Sequence, residues 1–459
     1  MDRSALHVRN AGEAYLIGPA PSSESYLRGD VILDVAKRSG ASAIHPGYGF
    51  LSENARFAQM VLDAGLVWIG PPPAAIDAMG SKTGARQRMV TAGIAVVPGT
   101  NGPIETEEEA FALAMTMGFP VMVKAAAGGG GKGLRKVDDP AGFQSAWRAA
   151  RSEAAKSFKD DAVYLEKFVP IPKHIEIQVL ADAYGHVVHL FERDCSVQRR
   201  NQKVVEETPS PVLSDATRQA MAKVAVQATQ AVGYVGAGTI EFLYSQATGD
   251  FYFLEMNTRL QVEHPITEMV TGVDLVRAQL RIAAGEPLWF TQADVRQTGH
   301  AIECRVYAED PANNFAPAPG KISGLREPGG PWVRVDSGVY AGYEVPIHYD
   351  PMIAKLVCWG ADREEAISRM IRALREYRVR GIRTSIPFFR ALLSDPDFVA
   401  GTYATDFLSP ERLARLSDPG SNVRIATIAA AIARHEADSQ PERAPAQRES
   451  AWKRAGRPR

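Results

Sequence analysis

Cysteine is almost absent: Cys195, Cys304 and Cys358 are the only three in 459 residues, and none stands in a CxxC pair. That excludes a disulfide framework and a cysteine-based zinc site, and it fits a reducing compartment, so a cytoplasmic location is expected. No apolar run is long enough to span a bilayer, and the opening MDRSALHVRNAGEAYLIG lacks the basic-then-apolar order of a secretion signal, so no membrane partner is expected. An excess of one charge is also missing. With 52 basic and 53 acidic residues the net charge is −1, which leaves no global field to recruit nucleic acid or anionic lipid. Basic patches interleaved with aromatic residues do not occur, so no nucleic-acid partner is expected either. There is no repeat at solenoid or propeller spacing.

What is present fits a folded protein of several units. Hydrophobic residues make up 45% and charged residues 23%, and the length exceeds what one core usually organises. The fold class read from the pattern is α/β and α+β, multidomain. Short apolar runs at Ala14–Ile17, Ala43–Ile44 and Val67–Ile69 alternate with helical patterns near Val31–Ser39 and Asn54–Ala64, the order of βαβ units in a parallel sheet. Glycine and proline gather in HPGYGFLSEN (His45–Asn54) and IGPPP (Ile69–Pro73), loops at strand ends where α/β sheets contact ligands.

From Lys82 the pattern predicts a helix, a turn at Pro98–Thr100, a helix near Glu107–Met117 and a strand Val121–Lys124. Roughly four to six strands follow before Asn257, including a hairpin turning at Ala183–Gly185, with a helix at about Asp215–Ala231 between them. Strands resume in AIECRVYAED and IAKLVCW, then a helix near Arg363–Tyr377. From about Asp438 the basic, apolar-poor sequence predicts a disordered tail or linker.

Two constellations carry chemistry. Gly128, Gly129, Gly130 and Gly131 precede Lys132 and Gly133; such a run lets backbone N–H groups approach phosphate, although a plain flexible hairpin explains a glycine run as well. The spacing is not that of a P-loop. The second is GTIEFLY followed by FYFLEMNTRLQVEHP. A three-residue loop joining Gln246 to Asp250, with left-handed Gly249, sets Glu241 opposite Glu255. Glu255, Asn257, Arg259, Gln261 and Glu263 then recur with period two, while Leu254 and Met256 turn away. Two carboxylates and a carboxamide oxygen suit Mg²⁺ beside a triphosphate; a solvated strand face is the alternative.

The motifs HPGYGFLSEN, KAAAGGGGKG, HIEIQVLAD, ERDCSVQRRNQKVVEE, FLEMNTRLQVEHPITEMVTGVDL, ECRVYAEDP and HYDPMIAKL, in this order, resemble the biotin carboxylase family of ATP-grasp enzymes over about residues 5 to 410. The resemblance implies a truncated Rossmann-like N-terminal domain at 1–80 and an ATP-grasp domain at 81–297 with a mobile lid at about 97–168. A C-terminal biotin carboxylase domain at 298–408 and a terminal helix with a disordered tail at 409–459 would follow. It implies an ATP-dependent ligase that carboxylates biotin through carboxyphosphate, as part of an acetyl-CoA or acyl-CoA carboxylase.

By the same resemblance Lys82 and Lys124 bind ATP phosphates, the Gly128–Gly133 loop closes over them, Glu166 and Lys167 meet adenine near Leu243, and His174 and Gln198 add nucleotide contacts. Glu241, Glu255 and Asn257 would hold two ions, Mg²⁺ or Mn²⁺. Bicarbonate would lie against Arg259, with Lys203, Gln261 and Val262 completing its cradle, and Glu263 would be the base. Arg305 would stabilise the biotin enolate, and Tyr48 would line the biotin pocket. The alternatives are that Arg305 is an ion-pair partner of Glu303 or Glu309 and Tyr48 a packing residue. His45 and His264 read as structural or phosphate contacts, and Cys195 as a small buried residue.

The chain departs from the family where a strand, a glycine turn and a helix with a motif like ANRGEIA normally precede the first residues here. The expectation is a misassigned start or a shortened relative. Asn201 stands where some members have His, and no AMKM-like biotin-acceptor motif occurs. Biotin is therefore expected on a separate carrier protein or domain. A carboxyltransferase subunit would be a further partner, and a homodimer the assembly. The competing readings are another bicarbonate-activating ATP-grasp ligase and a non-catalytic ATP-binding carboxylase subunit.

Overall fold

The computed structural model describes residues 2–100, 102–126, 133–418, 427–432 and 434–435. Gly128, Gly129, Gly130 and Gly131, and the tail from Asp438, lie outside the described residues. Residues Met1–Leu416 form one compact unit; in the other, Ser417–Arg459, residues 427–432 are helical. Among the described residues no helix is long and apolar enough to cross a membrane.

Near the start, β1 (Ala43–Ile44) and β2 (Val67–Trp68) pair in parallel, joined by the helix Ala55–Asp63, whose N-cap Asn54 accepts the Phe57 N–H at 2.8 Å. Phe57, Val61 and Trp68 pack with Leu33 of the helix Gly29–Ser39. The strand expected at Ala14–Ile17 does not form: that segment is irregular. Its apolar residues find no neighbouring strand, and Leu16 is 88% exposed, so a short run without a pairing partner stays unpaired.

A small layer follows. β3 (Val121–Ala125) lies between β4 (Leu134–Val137) and β5 (Val163–Lys167), backed by the helices Glu107–Met117 and Phe143–Phe158 around Val123, Leu165, Phe143 and Trp147. Thr106 caps the first of these helices at the Glu109 N–H, and Glu107, Glu108 and Glu109 in its first turn complement the dipole.

The centre is one eight-stranded sheet. In spatial order it contains β10 (Phe251–Asn257), β9 (Gly236–Ser245), β6 (Pro172–Ala181), β7 (Val187–Arg199), β8 (Gln202–Thr208), β11 (His300–Tyr307), then the strands Met352–Gly360 and Val333–Ser337. Period-two patterning builds it. Ile175, Ile177, Val179, Ile240, Phe242 and Met256 pack beneath Met221, Ala225 and Ala228 of the helix Asp215–Ala231, while His174, Glu176 and Gln178 alternate with the first three. Because β8 pairs with β11, the sheet runs unbroken from the strands before residue 297 into those after it. Arg200 and Asn201, both left-handed (φ 52° and 63°), form the two-residue turn between β7 and β8. Such a turn needs φ > 0 at both positions, and Asn adopts it readily.

The β9–β10 hairpin differs from its expected form. Its loop has four residues, closed by Ser245 N–H to Asp250 O at 2.8 Å, and Gly249 is left-handed at φ 76°. Phe251 pairs with Tyr244, one residue off the predicted register, and a bulge between Phe253 and Glu255 restores it, so that Glu255 does face Glu241. The bulge also changes Leu254: instead of turning away with Met256 it lines the cavity beside Glu255.

Candidate active site

Glu255, Glu241, Glu176 and Arg193 form one cross-strand row over β10, β9, β6 and β7. The register therefore concentrates three carboxylates on the sheet face opposite the apolar core. Above this row opens a cavity of about 590 Å³. Arg193, fully buried, anchors its floor: it donates to Glu176 at 2.5 Å, Gln178 at 2.7 Å, Thr267 at 3.0 Å, Thr239 at 3.1 Å and Gln261 at 2.6 Å.

Lys203 is the hub. Its ammonium reaches Glu176 at 2.6 Å, Glu241 at 2.8 Å and Glu263 at 2.7 Å. Burial works against that charge, but the three carboxylates hold it well above the ordinary lysine range. Glu263 sits at the N-cap of the helix His264–Thr271 without capping it; its oxygens turn instead to Lys203 and, at 2.9 Å, to Arg305. Burial alone would raise Glu263, yet Lys203 first, then Arg305 and Arg193, hold it well below the usual carboxylate range. Arg305 also donates to Glu206 at 2.6 Å. Its partners are thus Glu206 and Glu263, neither of the two considered from sequence, since Glu309 is taken by Arg199.

At the other end Glu241 accepts from Gln261 at 2.8 Å and Asn257 at 2.9 Å, and its second oxygen lies 3.0 Å from His174 Nε2. Among the described residues Glu255 has one ion-pair partner, Lys82, at 3.9 Å. Burial and then the Glu241 charge push Glu255 up, whereas Glu241, despite burial, is held well below by Lys203 and His174. A pair of facing carboxylates with one member short of cations fits a divalent ion. Asn257 could join through Oδ1, which now accepts from Arg259 at 2.8 Å. His174, Glu176 and Glu241 also stand close enough together to hold a cation, a grouping hidden in the sequence by their different strands.

Arg259 donates to Glu53 at 2.8 Å, and Glu53 accepts the Thr258 N–H at 2.9 Å, tying the His45–Asn54 loop to the site. Lys124 and Arg86 both engage Glu166. Lys167 lines the cavity, but its ammonium sits on the carbonyls of Gly118 at 2.7 Å and Met117 at 3.3 Å, at the end of the helix Glu107–Met117. Leu243, Gln198 and Val262 line the cavity, and Gln198 donates to Cys195 O at 3.0 Å. Tyr48 lies outside that lining, 40% exposed, with the Lys355 ammonium 5.9 Å from its ring. Lys355 in turn holds Val262 O at 3.0 Å. His45 contacts Gln279 at 3.2 Å, and His264, bonded to Gln261 O, is pushed by burial down to about 3. Burial raises the Cys195 thiol well above its usual range, so it stays an inert thiol.

Glu176, Arg193, Glu53, Arg86 and Glu206 were not singled out from sequence. Glu176 carried a signal, the polar alternation of HIEIQ that resembles that of EMNTR. Arg193 and Glu206 become visible only when strands are paired, and Glu53 and Arg86 only when their loop and helix pack against the site.

Three family models match this chain: biotin carboxylase, N-terminal domain, over residues 1–76; carbamoyl-phosphate synthase L chain, ATP binding domain, over 81–291; and biotin carboxylase C-terminal domain, over 303–410. A biotin carboxylase of Nostoc sp. is 54% identical over 408 residues, covering 89% of this chain and 91% of the relative. One of the pyruvate carboxylase subunits of Methanothermobacter thermautotrophicus is 52% identical, covering 90% and 83%. Among solved structures, the biotin carboxylase domain dimer of Hydrogenobacter thermophilus 2-oxoglutarate carboxylase, with MgADP, ADP and bicarbonate, has a TM-score of 0.86 at 45% identity, covering 92% of each chain. The Campylobacter jejuni biotin carboxylase–β,γ-ATP complex has a TM-score of 0.85 at 45% identity, covering 89% of this chain and 91% of the other.

Proposed function

The chain belongs to the biotin carboxylase family of ATP-dependent ligases, and we propose that it uses ATP and bicarbonate to carboxylate biotin presented by a separate carrier protein or domain. The observation that carries this reading is the convergence of Lys203 and Arg305 on Glu263, with Arg259 and Gln261 beside them.

ATP would enter over Leu243 and Glu166, with His174 and Gln198 as further contacts, and place its phosphates toward Lys82 and Lys124. The segment at about 97–168, which has its own apolar core, would act as the lid. Mg²⁺ or Mn²⁺ held by Glu241, Glu255 and Asn257 would supply charge neutralisation between the phosphates.

Bicarbonate would lie against Arg259, Lys203, Gln261 and the Val262 backbone. Glu263 takes the bicarbonate proton, and the freed oxygen attacks the γ-phosphorus to give carboxyphosphate and ADP. With both cations on it, Glu263 is ionised but a weak base. A bicarbonate that draws Lys203 toward itself raises the affinity of Glu263 for the proton at the moment of need. Carboxyphosphate then breaks into CO₂ and phosphate, the phosphate takes the N1′ proton of biotin, and the nitrogen attacks CO₂. Arg305 meets the negative charge on the ureido oxygen. The buried floor excludes the water that would destroy carboxyphosphate.

The Methanothermobacter relative is named for pyruvate and the Hydrogenobacter protein for 2-oxoglutarate. Acceptor choice therefore belongs to the carboxyltransferase partner, and the product of this chain is carboxybiotin. We place it in the cytoplasm, as a homodimer. The test is bicarbonate-dependent ADP release with and without free biotin: biotin raises the rate in the wild type, and Glu263→Gln abolishes it. ATP binding without any biotin stimulation would remove this reading.

A further inference from the structure

Behind Arg305 lie two glutamates that the proposed reaction does not use. Glu206 of β8 and Glu303 of β11 are direct cross-strand partners, and both are fully buried. Opposed residues bring their β-carbons to about 5 Å, so the two carboxyls occupy one space. Glu206 Oε1 accepts from Arg305, but Glu206 Oε2 and both oxygens of Glu303 lack any hydrogen-bond partner among the described residues.

The charged groups around this space are already engaged. From β8, Lys203 serves Glu176, Glu241 and Glu263. On β11, Arg305 serves Glu206 and Glu263. From the strand Met352–Gly360, Lys355 holds Val262 O and lies 3.4 Å from Asp336. From the next strand and the helix above, Arg334 pairs with Asp336 and Glu268, and His264 bonds to Gln261 O. None of these donates to Glu303. Two ionised carboxylates in one dry space repel strongly, whereas a single proton supplies a donor that joins two of the three orphaned oxygens, one on each glutamate.

We infer that Glu206 and Glu303 share one proton, resting on Glu303, and that this carboxyl–carboxylate pair is the brace that positions Arg305. Burial, then the Glu206 charge, pushes the Glu303 carboxyl well above its usual range, and burial raises Glu206 to about 7 against the pull of Arg305. A neutral Glu303 donates its O–H to Glu206 Oε2, so Glu206 Oε1 keeps its charge for the Arg305 Nε–H. A guanidinium pinned at Nε keeps its outer edge toward Glu263 and the cavity. Glu303 is therefore a positioning residue for Arg305, and this role rests on the reading of Arg305 as the group that faces biotin.

Two measurements test it, and only one depends on turnover. Difference infrared spectra of the whole unliganded chain at neutral pH, wild type against Glu303→Gln, should show a protonated-carboxyl C=O band that the variant loses. In bicarbonate-dependent ADP release, Glu303→Gln keeps an N–H donor for Glu206, so the biotin-stimulated kcat stays within about threefold, while Glu303→Leu loses about tenfold or more with KM for ATP unchanged. Because Gln cannot ionise, the alkaline fall of the biotin-stimulated rate should also move to higher pH in Glu303→Gln. An infrared band unchanged by Glu303→Gln overturns the inference, and so does a Gln variant that falls as far as the Leu variant. Wild-type protein that shows the band but no biotin stimulation instead sinks the functional reading of Arg305.

Discussion

Glu206 and Glu207 are adjacent on β8, point to opposite faces of the sheet and have opposite chemistry. Glu207 lies on the side of the helix Arg363–Glu376, where it accepts from His300 at 2.6 Å, from Arg363 at 2.7 and 2.9 Å and from the Tyr403 hydroxyl. Burial works to raise its carboxyl, but His300 and Arg363 hold it well below the usual range. Glu206 has one cation and one orphaned oxygen, and burial raises it to about 7. A fully satisfied buried carboxylate is a lock, and an under-satisfied one is poised to respond to a proton or a neighbouring charge. One strand carries both, because alternate residues of a strand face different environments.

The sharpest way to break this contrast is to remove a charge from each face and ask which property fails. On the cavity face, Glu263→Gln should lower biotin-dependent ADP release by about 10³-fold, the scale of losing a positioned base, while ATP binding measured by calorimetry persists. On the locked face, Glu207→Gln should leave the rate per folded molecule close to wild type. It should cost about 3–5 kcal/mol of stability, because Arg363 and His300 stay buried with their shared carboxylate charge removed. A urea midpoint that falls at constant slope would report this; a lost rate with intact stability would reverse the assignment of the two faces.

Protons probe the same contrast with smaller effects. Glu207 is depressed in the folded state, so its stabilisation is present above its unfolded value, about 4.3, and is lost as pH falls. On the cavity face the Glu206–Glu303 pair holds its proton more firmly than the unfolded chain does, so that stabilisation is present below the unfolded carboxyl value and is lost as pH rises through the pair's folded range. Thermal midpoints against pH should therefore fall on both sides. Glu207→Gln should flatten the acid side and Glu303→Gln the alkaline side. Matching slopes in wild type and Glu303→Gln would mean that the Glu206–Glu303 space holds no shared proton.

Much of the cavity face was legible in the sequence because the period-two stripe Glu255, Asn257, Arg259 survives any register that keeps Glu255 opposite Glu241. The loop was not. A three-residue loop and a four-residue loop with a bulge predict the same carboxylate pair, and only the second brings Leu254 to the cavity. The partners of Arg305 were illegible for a related reason. Glu303 is its neighbour along one face of the strand and invited the pairing, but the Arg305 guanidinium reaches Glu206 on the adjoining strand β8 instead. Strand order is not written in residue spacing. Ala14–Ile17 shows the converse, since an apolar run with β-propensity needs a partner strand before it becomes one.

The mildest perturbation concerns how far the contrast extends beyond the sheet. Glu53 belongs to the His45–Asn54 loop, yet it accepts from Thr258 and Arg259, so it holds the Arg259 guanidinium, proposed above to face bicarbonate, from outside. It is partly exposed, and solvent screens its pull. Glu53→Gln keeps an oxygen acceptor but removes the charge, so Arg259 should be less firmly oriented and no less cationic. The expected result is a KM for bicarbonate raised about three- to fivefold with kcat little changed, read from initial rates at varied bicarbonate. A fall in kcat with unchanged KM would instead place Glu53 among the groups that act during the chemical step.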